Sequence, residues 1–103
     1  MTGFKYEIQR AEGSIRVLLE GDLDMHMSPD LRRMFESELE DPPPHVVVDL
    51  GGVPFIDSSV IATLIATLKR MRMNGSELRV ENCQPAVKDT FELTRLTDSF
   101  KIR

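Results

Sequence analysis

A chain of 103 residues is the size of one ordinary domain, about 100–200 residues. Hydrophobic residues at 41% and charged residues at 29% exclude a disordered polymer, because there is enough apolar surface to build a core. Thirteen Lys and Arg against seventeen Asp and Glu give a net charge of −4 with no basic stripe, which argues against direct nucleic-acid binding and against attraction to an anionic membrane.

Phe4, Tyr6 and Ile8 alternate with polar residues, the period of a strand with one packed face. Glu12-Gly13-Ser14 is a turn signal, after which Ile15, Val17 and Leu19 resume the alternation. The pair predicts a hairpin, packed on one side and wet on the other. Gly21 to Met27 reads as a loop. Ser28 before Pro29 marks a helix start, with Ser28 as cap. Leu31, Met34, Phe35 and Leu39 follow at helical spacing and predict an amphipathic helix over 29–40. Pro42-Pro43-Pro44 stops it. Val46-Val47-Val48, ending at Asp49-Leu50, has the composition of a strand buried on both faces.

The most apolar helix is predicted over 58–73. Val60, Ile61, Leu64, Ile65, Leu68 and Met71 form its stripe, and Lys69, Arg70 and Arg72 complement the dipole at its end. Asn74-Gly75 terminates it. Leu78 and Val80 alternate in a short strand, 77–81. Pro85 opens a helix carrying Val87 and Phe91 and reaching toward Leu96, and Phe100 with Ile102 is expected to form a last strand. The predicted order is β-β-α-β-α-β-α-β. It defines an α/β domain: a mixed β-sheet with an antiparallel N-terminal hairpin, parallel crossovers and three main helices.

Few chemistries fit this inventory. No apolar run approaches the roughly 18 residues of a membrane span, so membrane insertion is not expected. Met1 to Arg10 has no signal-peptide pattern. A lone Cys83 excludes an internal disulfide and a Cys-cluster zinc site, so the default compartment is the cytoplasm. Cys83 reads as a buried structural thiol at a strand end. His26 and His45 have no metal-ligand spacing. No Gly-x-Ser-x-Gly supports a serine hydrolase, and Gly51-Gly52, without a following Lys, is a turn and not a phosphate loop. No enzyme activity, metal or cofactor is expected.

The informative stretch is Asp49-Leu-Gly-Gly-Val-Pro-Phe-Ile-Asp-Ser-Ser59. A buried strand ends, Phe55 and Ile56 are expected to anchor the loop in the core, and Asp57, Ser58 and Ser59 arrive at the helix start. Loops after the carboxyl ends of parallel strands are where open α/β sheets bind ligands. Helix N-termini offer free N–H groups and a positive dipole end. All three residues are good caps, so one of them caps the helix while a neighbouring hydroxyl is free to be modified or contacted.

This stretch, following Val-Val-Val, resembles the STAS-domain anti-sigma factor antagonists (anti-anti-sigma factors). Glu20-Gly21-Asp22-Leu23-Asp24, Asn82-Cys83-Gln84-Pro85-Ala86-Val87, Phe91-Glu92-Leu93-Thr94-Arg95-Leu96 and Phe100-Lys101-Ile102 resemble further segments of that family. The likeness spans nearly the whole chain and implies a single STAS-like domain over 1–103. It implies a protein that binds a cognate anti-sigma factor serine kinase when unphosphorylated and so regulates sigma-factor-dependent transcription. It implies switching off by phosphorylation at Ser58, with Ser59 as second candidate, and restoration by a PP2C-type phosphatase. Asp22, Asp24, Met25, Met27, Asp57, Ser59 and Val60 are the expected partner surface; Met25 and Met27 join it because they lie in the Asp24 loop, where an exposed methionine pair suits protein binding.

A phosphate on Ser58 takes the net charge from −4 to about −6 beside Asp24 and Asp57, enough to repel a partner without unfolding the domain. Val60 stands where the family usually has Gly, and its bulk is expected to narrow the approach to Ser58. Many relatives continue into a further C-terminal helix beyond the point matching Arg103, which implies a face left bare or meeting another molecule. Two alternatives remain: a non-phosphorylated STAS scaffold or sensor subunit of a larger signalling or transport complex, and a small-molecule or nucleotide binder using the same helix terminus. Self-association stays open.

Overall fold

The computed structural model describes residues 4–102; the chain ends Met1–Gly3 and Arg103 lie outside them. Strands β1 (Phe4–Ala11) and β2 (Ser14–Gly21) form the expected antiparallel hairpin, with Ala11 opposite Ser14 and Gly13 at φ +74° in the turn between them. Helix α1 (Ser28–Glu38) leads to β3 (His45–Gly52), α2 (Ser58–Met73), β4 (Glu77–Glu81) and α3 (Pro85–Leu93). The sheet order is β1-β2-β3-β4, with β2, β3 and β4 parallel.

One face of the sheet is the core face. Ile15, Val17 and Leu19 of β2, Val46, Val48 and Leu50 of β3, and Leu78 and Val80 of β4 are buried there with Leu31, Phe35, Leu64, Met71, Val87 and Phe91 of the helices. Each such side chain contributes about 1.5–3 kcal/mol by leaving water. Arg70 of α2 donates to the carbonyls of Leu39 (3.3 Å) and Phe35 (2.8 Å), so a cation closes the C-terminus of α1.

The opposite sheet face differs from the expectation for Val46-Val47-Val48. Val47 is half-buried there, in register with Arg16 and Arg79, and the next row holds Leu18, Asp49 and Glu81. Arg16 pairs with Asp49 (3.1 Å) and Glu81 (2.9 Å), while Asn82 donates to Asp49 at 2.7 Å. The strand is apolar on one side and carries a charged network on the other.

Four further boundaries move. Helix α1 begins one residue early: Met27 occupies the cap position without a side-chain bond, so Ser28 is the first helical residue and not the cap. Gly51-Gly52 extends β3 instead of turning. A side chain at Gly52 would meet Leu19 O and Glu20 Cβ at 2.9 Å, so the close pass of β2 over β3 requires glycine. Helix α3 stops at Leu93, short of Leu96, which is half-buried beyond it. The expected last strand does not form among the described residues. Residues 97–101 are turns, yet Phe100 is fully buried against Phe91 (centroids 5.4 Å apart), and its carbonyl accepts from Val80 N–H at 2.9 Å. The apolar signal there was a plug for the core beside the edge of β4.

Candidate functional site

The site is built where β3 ends and α2 begins. After Gly52 the chain turns inward at Val53, which is fully buried, and its N–H bonds Leu50 O at 3.0 Å. Ile56 returns to the core and forms an isolated parallel bridge with Leu23, which is also buried. That bridge joins two segments far apart in sequence, so 22–24 runs beside 55–57.

Asp57 is the cap. Its backbone is extended, and its Oδ1 accepts from Ser59 N (3.0 Å) and Val60 N (3.1 Å). One carboxylate oxygen thus satisfies two of the four orphan donors of the helix start. Its carbonyl takes Ile61 N–H at 3.1 Å, beginning the helical ladder. With capping done by Asp57, the hydroxyl of Ser58 is spared. Ser58 is the first helical residue, exposed, and its side chain makes no hydrogen bond among the described residues. Ser59, one position on, is half-buried.

The Asp24 loop is organised by Asp24 itself. Its Oδ1 accepts from His26 N–H at 2.9 Å, and its carbonyl accepts from Met27 N–H (3.0 Å) and Ser28 N–H (3.1 Å). Asp22 is exposed and Asp24 half-buried. Met25 is 62% exposed, whereas Met27 is half-buried and packs against the core, so the expected exposed methionine pair is a single methionine.

Two expectations are corrected. Val60 is fully buried in the core, so its side chain neither narrows the approach to Ser58 nor belongs to an exposed partner surface. As third helical residue it points inward, where a β-branched side chain packs well. Phe55, expected in the core, is 49% exposed; Val53 and Ile56 supply the anchoring instead. Sequence reasoning missed Phe55 as a surface residue, because only the Leu23–Ile56 bridge sets which way the loop's side chains alternate.

Other polar groups lie apart from this loop. Cys83, after β4, is half-buried, and burial pushes its thiol up to about 11, with Lys88 opposing and Asp49 adding to the shift. A depression of about 490 Å³ over the charged sheet face, lined by Glu7, Leu18, Glu20, Asp49 and Gly51 among others, includes none of the site residues. Among the described residues, no group of three or more His, Cys, Asp or Glu is placed to hold a metal, and no helix is long and apolar enough to cross a membrane.

Fold and site together define a small α/β module that presents a serine hydroxyl at a helix start beside an acidic loop. The chain belongs to the STAS domain family, whose model matches residues 5–103. It is 28% identical over 82 residues to an anti-sigma-B factor antagonist of Staphylococcus aureus, covering 80% of this chain and 76% of that protein. A crystal structure of an anti-sigma factor antagonist from Mycobacterium paratuberculosis superposes with a TM-score of 0.84 at 27% identity, covering 94% of this chain and 82% of that one. The fold is also shared with the Bacillus cell fate determinant SpoIIAA in its phosphorylated form, at TM-score 0.71 and 14% identity, over 91% of this chain and 86% of that one.

Proposed function

We propose that this protein is an anti-sigma factor antagonist whose state is set at Ser58. Unphosphorylated, it binds an anti-sigma factor serine kinase through the Asp24 loop and the start of α2, which frees a sigma factor. Phosphorylation of Ser58 ends that binding, and a PP2C-type phosphatase restores it. The work is cytoplasmic and needs no catalytic group on this chain.

One observation carries the reading. The Asp57 carboxylate takes both capping bonds, leaving Ser58 exposed at the first position of α2 with its hydroxyl unbonded among the described residues. The hydroxyl is presented to an incoming γ-phosphate without any helical bond being broken. A phosphate there adds about −1.5 to −2 charge. The helix dipole tolerates it, so the fold survives. A partner that docks across Asp24 and Asp57 meets like charge and added bulk. The names of the relatives support the same role, as does a neighbour whose phosphorylated form keeps the fold.

The test is incubation with ATP and the purified anti-sigma factor kinases of the source organism, read by intact mass. One phosphate is expected, absent in Ser58→Ala and retained in Ser59→Ala. Retention of the phosphate in Ser58→Ala overturns the assignment of the residue. No phosphate with any of these kinases favours the scaffold role within a larger complex.

A further inference from the structure

Phe55 is the outlier among the phenylalanines, and Tyr6, on the edge strand β1, is the other half-exposed ring at 47%. Phe35, Phe91 and Phe100 are fully buried and Phe4 is 6% exposed, whereas Phe55 leaves 49% of its surface in water. Its exposure is enforced. Val53 and Ile56 are locked into the core on either side, and Leu23 and Ile56 face inward across their parallel bridge. In an extended segment the residues flanking an inward side chain face outward. The bridge therefore sets Phe55 beside Asp22 and Asp57 beside Asp24, and Met25, in the turn that follows, is 62% exposed.

The charges of this strip are unevenly committed. Asp57 is taken up by the cap, and Asp24 holds His26 N–H. Asp22 is exposed and makes no ion pair or hydrogen bond among the described residues. An uncommitted carboxylate beside an enforced exposed ring has the make-up of an interface: an apolar anchor with a charged rim. The occupant must offer an apolar pocket edged by Lys or Arg. A second copy of this chain is a poor occupant, because a two-fold contact sets the acidic rim against itself.

We propose that Phe55 is the apolar anchor of the docking surface and Asp22 its steering charge, and that the occupant is the basic-rimmed apolar pocket of the anti-sigma factor kinase. This rests on the function proposed above and names the residues that give that contact its affinity.

The test is biolayer interferometry with the purified anti-sigma factor kinases of the source organism against wild type, Phe55→Ala, Phe55→Leu and Asp22→Asn. Phe55→Ala raises Kd on the order of 30-fold or more, mostly through faster dissociation. Phe55→Leu loses less. Asp22→Asn slows association and flattens its salt dependence while leaving dissociation near wild type. Thermal midpoints stay within about 3 °C of wild type, since a half-exposed loop ring holds little of the core. A Phe55→Ala Kd within about 3-fold of wild type overturns the inference alone. So does a wild-type dimer in sedimentation that Phe55→Ala dissolves, because the anchor then serves a second copy. A wild-type chain that binds none of these kinases overturns the proposed function and this inference with it.

Discussion

Two loops in this protein do the same mechanical job with opposite chemistry. Each leaves the carboxyl end of a parallel strand and starts a helix, and each helix has a fully buried valine as its third residue, Val60 in α2 and Val87 in α3. The loop into α3 is turned back on the sheet. Asn82 donates to Asp49 at 2.7 Å and Gln84 to Gly51 O at 2.9 Å; Gln84 makes no cap bond, and Pro85 removes one orphan donor by having no N–H. The loop into α2 is longer, is capped by a carboxylate and leaves a hydroxyl and an aromatic ring in solvent. Starting a helix requires only the first solution. The second satisfies the same backbone groups and leaves Ser58 and Phe55 exposed as well.

The sharpest way to break this contrast is to put charge on the presented hydroxyl. Ser58→Asp is expected to weaken kinase binding by about 100-fold or more, through like charge beside Asp24 and Asp57 and lost shape fit. Titration by calorimetry checks it, and wild-type affinity would remove the reason for the exposed serine.

Next come the buried valines, where the loops should behave alike. Val60→Ala and Val87→Ala each remove two methyls from fully buried sites and should each cost about 1–3 kcal/mol in urea unfolding. A large inequality would mean that one helix start is packed far less tightly than the other. The caps should then separate the two loops. Asp57→Ala forfeits two bonds and should cost about 1 kcal/mol, or about 4–8 °C in Tm. Gln84→Ala forfeits one exposed bond to Gly51 O and should stay within about 0.5 kcal/mol. Equal costs would refute the assignment of Asp57 as the working cap.

The architecture was largely legible because periodicity reports burial. The alternation of Ile15, Val17 and Leu19 and the stripe from Val60 to Met71 each gave an element with nearly its observed bounds. The start of α2 at Ser58 was legible too, since only a few residue types start helices. What failed depended on long-range pairing. Val47 has the same composition whether a helix or solvent lies above it, and it is half-buried between Arg16 and Arg79 on the sheet face that no helix covers among the described residues. The outward turn of Phe55 follows from a bridge to Leu23, more than thirty residues away. Phe100 carries a strand-like signal because burial alone, without a ladder, demands the same apolar side chain.

The smallest effect concerns the nucleophile in each loop. Ser58 is exposed, while Cys83, in the loop to α3, is half-buried with its thiol pushed up to about 11 from 9.0, chiefly by burial. The neutral form is the one the fold prefers. Below about pH 9 both folded and unfolded chains carry the thiol, and its contribution to stability is fully present. Between about pH 9 and 11 the unfolded chain ionises first, so that contribution fades as pH rises. Only the thiolate reacts readily. Alkylation of the native protein by iodoacetamide should therefore be slow at pH 8 and keep accelerating past pH 10, while the urea-unfolded chain levels off about two pH units earlier. Matching profiles would show that the α3 loop opens as freely as the α2 loop, and the contrast between a closed and a presented helix start would fail at its second member.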